Sequence, residues 1–250
     1  MWDDLWFSSR HHVNVECAVH IHAMLEIVLV RDGVLQMTVS GKEYSVQKGE
    51  GIFVSPFEPH AFHSKQPNVC QVLIFSREMV RYFFELVQGK VPSRHSFSIS
   101  AEAFSLCERL LPENQVEYIG AQAALAPICY DVIHGCIFEE RDLMPNGILE
   151  KILEYIDAHF REELTLETVA RAVGVHPVTL SKSLSKLAGI GFHDYLQYSR
   201  CSYAAHLICT SELNLSEIAY ESGFGSIRSF NRAFRTVFRV TPTQYRSDQT

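Results

Sequence analysis

The sequence predicts an α+β chain of two domains. The first, residues 1–143, reads as an N-terminal β-barrel with flanking helices; the second, residues 148–250, as an all-α domain with two helix–turn–helix motifs. Three observations carry this. Short apolar runs parted by Gly and Pro fill the stretch from Val15 to Ser76, after which the apolar period lengthens from two to about 3.6. The charged run Glu139-Glu-Arg-Asp is broken by Pro145 and Gly147, as a domain boundary would be. Beyond it one pattern is written twice: Thr165-Leu-Glu-Thr-Val-Ala170-Arg-Ala-Val-Gly174 returns 49 positions later as Asn214-Leu-Ser-Glu-Ile-Ala219-Tyr-Glu-Ser-Gly223.

The strands follow from the apolar runs and their punctuation. Glu26–Val30 reads as a buried strand ended by Arg31-Asp-Gly33, and Leu35–Val39 alternates. Ser40-Gly-Lys-Glu turns into Tyr44–Val46, and Gln47-Lys-Gly49 into Gly51–Val54, which Pro56 and Pro59 close; Val69–Phe75 is the last run. Many short strands joined by such turns predict a small barrel or sandwich. His20, His22 and Glu26 have even spacing, so on a regular strand they share one face, and His60 follows a strand and turn later. Three imidazoles and a carboxylate suit zinc, iron, nickel or manganese. The same side chains also serve, without metal, as hydrogen-bonding groups lining a pocket for an organic ligand.

Helices follow at Arg77–Val87, Ala101–Leu111 and Glu117–Phe138, the last with an expected kink at Pro127. Their apolar faces suit either domain core or a dimer seam. Ile148–Phe160 is amphipathic and supports the first motif. In each copy a capping residue, Thr165 or Asn214, opens a helix. A small core residue, Ala170 or Ala219, permits close crossing, and Gly174 or Gly223 supplies the left-handed turn. Phe192 to about Cys209 reads as one spacer helix of about 25 Å, able to hold two recognition helices roughly one DNA turn, about 34 Å, apart.

The second recognition helix carries Arg228, Arg232, Arg235 and Arg239 at spacings of 4, 3 and 4. Phe230 and Phe234 lie about 200° away. Arg228, Ser229, Asn231 and Arg232 are its candidates for bases or flanking phosphates, with Arg235 and Arg239 further along as phosphate or surface groups. The first begins at His176-Pro177, a poor cap before a good first-turn residue, and exposes Val178, Thr179, Ser181, Lys182 and Lys186. Val178 or Thr179 suits a thymine methyl, Lys182 a guanine or phosphate. The second motif is expected to supply the electrostatic grip and the first the sequence discrimination.

Composition agrees with this division. The chain has 47% apolar and 20% charged residues, as a globular protein does. No apolar run approaches the roughly 20 residues of a membrane helix. The start, Met1-Trp-Asp-Asp, is acidic where a secretory signal is basic, so a cytoplasmic protein without a membrane partner is expected. Seven cysteines without a CxxC read as reduced core thiols. Residues 1–147 carry 11 basic and 18 acidic side chains, residues 148–250 carry 11 of each, and after Val169 the balance is 9 basic to 5 acidic. A mildly basic end on an acidic body suits a nucleic-acid binder.

Two resemblances add to this. His20-x-His22-x3-Glu26-x6-Gly33 with Gly51-x4-Pro56-x3-His60 resembles the two motifs of cupin barrels, in which three His and one Glu line the cavity and hold a divalent metal. The second motif departs: His60 is one residue closer to the proline than usual, and the Gly and Asn of enzyme-type cupins are missing. In the last hundred residues, Arg200-x3-Ala204-x2-Leu207-Ile208, Ile218-Ala219-x3-Gly223-Phe224, Ser229-Phe230-x-Arg232-x-Phe234 and Thr241-Pro242-x2-Tyr245-Arg246 closely resemble the AraC/XylS family of transcription regulators. The resemblance implies a small-molecule effector in the barrel, a homodimer formed by the adjacent helices, double-stranded DNA as target and RNA polymerase as a further partner, often in activation. That family usually has Gly where Arg239 stands; a left-handed cap would cost Arg about 1 kcal/mol, so the helix is expected to end differently. The alternative is a metal-dependent cupin enzyme fused to a DNA-binding module, but no acid/base pair or nucleophile accompanies the His/Glu set, and no catalysis is expected.

Overall fold

A computed structural model of the chain describes residues 7–111, 117–140, 148–185 and 191–247. The boundary residues Pro145 and Gly147, and Lys186 in the first recognition segment, lie outside the described residues. The chain divides into two compact units, one from the described residues of Met1–Val15 and Met24–Leu143, the other from Glu16–Ala23 and Met144–Thr250.

The first unit is built on β3, Leu25–Val39. Against the expectation of two strands, Arg31-Asp-Gly33 does not end it. The register against β7 (Asn68–Phe75) shifts between Val30 and Asp32, and Gly33 takes φ 73°. A bulge of this kind bends a strand without breaking it. The first half of β3 pairs with β7 and with β5 (Glu50–Val54). The second half pairs with β4 (Lys42–Gln47) and β6 (His60–His63). One strand thereby serves both walls of the barrel. Outside them β1 (Phe7–Val13) pairs with β7, and β9 (Ser96–Ser98) with β5.

The run Leu25–Val30 is apolar on successive residues because both its faces are buried. Leu25, Ile27 and Leu29 join Phe53, Phe75, Phe83 and Phe97 in a core completed by helices, while Glu26, Val28 and Val30 point the other way and are equally enclosed. The helices are α1 (Arg81–Val87), entered through a 3-10 turn at Arg77–Val80, α2 (Ala101–Leu110) and α3 (Tyr118–Gly135). The helix α3 runs on through Pro127 because its Ala121, Ala124, Leu125, Ile128 and Val132 are locked in the same core. It does not reach Phe138. The chain turns extended at Cys136, and Ile137–Glu140 forms a strand, β10, against β8 (Lys90–Arg94).

The second unit has seven helices among its described residues: α4 (Ile148–His159), α5 (Leu166–Ala172), α6 (Pro177–Ser183), α7 (Phe192–Thr210), α8 (Leu215–Glu221), α9 (Ile227–Phe238) and α10 (Pro242–Ser247). It also takes in the short strand β2, Cys17–His20. The spacer α7 has 19 residues and is about 28 Å long. Its Tyr198, Cys201, Ala204 and Ile208 pack with Ile218, Ala219, Phe224, Phe230 and Phe234 of the second motif. Arg200 is spent on structure: Nε donates to the Phe160 carbonyl at 2.7 Å and Nη2 to that of Glu162 at 2.8 Å, closing the end of α4. None of the seven cysteines is in a disulfide. Burial pushes the thiols of Cys70, Cys107 and Cys136 up to about 12 and raises those of Cys129 and Cys201 as well, while Cys209 is exposed. No described helix is long and apolar enough to cross a membrane.

Asp157 ties α4 to α7, accepting from Tyr195 Oη at 2.8 Å and Ser199 Oγ at 2.9 Å. Burial holds its carboxyl up at about 6, outweighing the two hydrogen bonds. The folded chain keeps a proton there that the unfolded chain releases near pH 4, so stability falls as pH rises from about 4 to 6. Asp157→Asn should remove about 3 kcal/mol of that pH dependence, read from urea unfolding at the two ends of the window.

Candidate nucleic-acid interface and barrel site

Each helix–turn–helix is set by local chemistry. In the first, the Thr165 and Thr168 side chains exchange bonds with each other's backbone N–H, a capping box at the start of α5. The second has the same device in Asn214 and Glu217. The turns pass through Gly174 at φ 73° and Gly223 at φ 81°. His176, expected to cap α6 poorly, does cap it: its Nδ1 accepts from Val178 N–H at 3.3 Å. On α6, Val178, Thr179, Ser181 and Lys182 are exposed while Leu180 and Leu184 are buried.

On α9 the aromatic and cationic faces separate. Phe230 and Phe234 are fully buried, ring centroids 5.5 Å apart, with Phe234 5.3 Å from Tyr245. Arg228, Asn231, Arg232, Arg235 and Arg239 are exposed. At 100° per residue the four guanidinium-bearing positions fall within an arc of about 60°. Among the described residues none of these four Arg side chains is engaged in an ion pair or hydrogen bond. Ser229 is half-buried and turned inward, its Oγ donating to the Ser226 carbonyl at 2.7 Å, so it works with the N-cap Ser226. The helix ends where the sequence argued against: Arg239 takes φ 62°, ψ 0°, its N–H donating to the Arg235 carbonyl. The chain therefore tolerates a cap that costs about 1 kcal/mol relative to Gly. Arg246, like Arg200, holds a carbonyl, that of Leu213 at 2.8 Å.

Of the His/Glu set, Glu26 and His60 lie in the first compact unit and His20 and His22 in the second. They are not aligned by alternation along one strand: β2 ends at His20, His22 lies in the turn, and Glu26 is on β3. Glu26 and His60 are each 1% exposed, with Oε2 and Nε2 3.4 Å apart. His60 Nδ1 lies 2.8 Å from the Glu58 carbonyl and His20 Nδ1 2.9 Å from that of Ala18. A carbonyl can only accept, so in both rings Nδ1 carries the proton and a neutral ring offers Nε2 as its lone pair. Burial would lower the His60 imidazole, but the Glu26 carboxylate and the hydrogen bonds outweigh it, and the net shift is upward.

Two features were not read from the sequence. His12 on β1 is half-buried: burial first, then Arg10, lowers its imidazole to about 4, while Glu26 pulls the other way. Glu26 also acts on Cys70, the partner of His12 across β1 and β7, so both border the same interior. The second feature is a buried network: His95 Nε2 lies 3.0 Å from Glu58 Oε1, and Tyr44 Oη 2.8 Å from His95 Nδ1. Glu58 also accepts from Ser55 N–H at 2.9 Å and Ser40 Oγ at 3.1 Å. It fixes the loop from which His60 projects.

Comparison with known proteins agrees with both halves. The chain matches the family described as Helix-turn-helix domain over residues 169–248 and that described as Cupin domain over 11–76. It is 39% identical over 98 residues to Regulatory protein PocR of Salmonella typhimurium, covering 39% of this chain and 32% of PocR. An HTH-type transcriptional regulator of Staphylococcus aureus is 27% identical over 139 residues; this chain spans 19% of it. The HTH-type transcriptional activator RhaS of Enterobacter sp. is 25% identical over 242 residues, covering 91% of this chain and 86% of RhaS. Among solved structures, ToxT from Vibrio cholerae shares the fold, with a TM-score of 0.70 at 15% identity over 96% of this chain and 98% of ToxT.

Proposed function

We propose that this chain, which belongs to the AraC family and carries an N-terminal cupin domain, binds double-stranded DNA and regulates transcription in response to a small molecule. The observation that carries the reading is α9: a buried aromatic stripe on one side and four exposed, unengaged Arg side chains on the other. Residues 148–250 form the DNA-binding part and residues 1–143 the sensor. Arg228, Asn231 and Arg232 reach bases or flanking phosphates from α9, with Ser229 setting the start of the helix. Val178, Thr179, Ser181 and Lys182, with Lys186 beyond them, form the quieter reading face of the first motif. The second motif supplies most of the salt-sensitive grip and the first adds discrimination.

His20, His22, Glu26 and His60 form the effector site. Their donor set also fits a divalent transition metal, since two rings are already held by Nδ1 bonds to carbonyls with Nε2 directed elsewhere. Such an ion would supply a Lewis-acidic position for an oxygen of the effector. The chain acts without catalysis, in the cytoplasm, as a homodimer that engages RNA polymerase. Exposed Tyr82, Ile119 and Tyr130 on α1 and α3 supply apolar area for the dimer.

The test is Arg232→Ala in a gel-shift titration on a duplex selected from a random pool. Specific binding should weaken by about 1–3 kcal/mol, roughly tenfold to a hundredfold, with the circular dichroism unchanged. Unaltered affinity would remove α9 from the interface.

A further inference from the structure

Past the reading face of α9 the second unit has a cleft. Its walls include Asn231, Arg232, Arg235, Arg239, Thr241 and Thr243. Among the described residues no carboxylate lines it. The three guanidinium groups stand on one helical face and its cap, and none is engaged by another described side chain. Arg239 occupies its place in a left-handed conformation that Gly adopts freely and Arg does not. A strained residue kept at the rim of a cationic cleft is a reason to look for a ligand. The Thr241 hydroxyl is committed to Gln244, but Thr243, also in the lining, makes no side-chain hydrogen bond among the described residues.

Position along the helix decides what that ligand is. Arg239 lies 11 residues beyond Arg228, about 16 Å along the axis. Recognition helices meet base edges with their N-terminal residues, so the far end of α9 lies over the sugar-phosphate wall. We propose that the cleft seats one backbone phosphate of bound duplex DNA, with Arg235 and Arg239 as its walls and the Thr243 hydroxyl as a further donor. The proposal rests on the DNA-binding reading above. It makes Arg239 a register-setting contact rather than a base reader, and gives the second motif a hold that does not depend on sequence.

The experiment measures affinity of the full chain for a random-sequence 30-base-pair duplex across a salt series, with Arg239→Gly and Arg239→Lys beside the parent. A lost phosphate contact makes the slope of log affinity against log salt shallower by about 0.9. Arg239→Gly should show that change and bind several-fold more weakly at low salt, although relief of the strained cap leaves its melting temperature equal or higher. Arg239→Lys keeps the charge and should keep most of the slope. If Arg239→Gly melts higher with an unaltered slope, or weakens without any change of slope, the cleft holds no phosphate. Failure of the parent itself to bind any duplex would bring down the DNA reading and this proposal with it.

Discussion

Gly223→Ala should destabilise the C-terminal unit by about 3 kcal/mol or more, whereas Gly174→Ala, at the equivalent turn, should cost about 1 kcal/mol. Both glycines have positive φ, so both substitutions meet the same backbone penalty. Their surroundings differ. A Cβ on Gly174 meets nothing within 4 Å. One on Gly223 would lie 2.7 Å from Arg161 Cα and 2.8 Å from its carbonyl oxygen. Those are backbone atoms, and they cannot rotate away as a side chain does. The carbonyls just to either side, Phe160 and Glu162, are pinned by Arg200. Urea unfolding of the two variants side by side measures the difference; equal losses would mean that the close approach at Arg161 yields freely.

The second large effect is expected at Glu58. Glu58→Ala strips His95 Nε2, Ser40 Oγ and the Ser55 N–H of a buried acceptor, which should cost about 3–5 kcal/mol. With Tyr44 donating to Nδ1, a neutral His95 donates from Nε2 to the carboxylate, so the chain of bonds has one consistent direction. Glu58→Gln keeps one acceptor oxygen and turns the other into a donor, so its loss should fall between parent and Ala. Because the Glu58 side chain anchors the loop whose residue-58 carbonyl orients His60, the Ala variant should weaken effector or zinc binding beyond its effect on folding. A loss below about 1 kcal/mol would show that water replaces the carboxylate.

What the sequence made legible here was mostly local. The two helix–turn–helix motifs rest on caps, turns and apolar periods within about twenty residues of one another, and Thr165, Asn214, Gly174 and Gly223 stand in the roles their types suggest. Pairing across the chain was much less visible. β1 carries Arg10, His11 and His12, and β10 ends in Glu139-Glu140; both are strands because β7 and β8 offer a ladder. The bulge at Val30 to Asp32 made one long strand read as two. Spacing pointed to a His/Glu set on one strand face, but β2 ends at His20 and His22 lies outside any strand, so alternation does not align them. Arg239 is a conflict between local preference and the observed cap, the kind of disagreement that marks functional positions.

The raised thiols carry a practical consequence. A maleimide reacts with thiolate, and near neutral pH the cysteines held up by burial present almost none. Cys17 is half-buried, which leaves Cys209 as the exposed sulfur, one residue from the end of the helix that joins the two motifs. The chain thus has a native attachment point for a fluorophore on the DNA-binding unit, and motions of that unit can be followed optically without first stripping cysteines from either core.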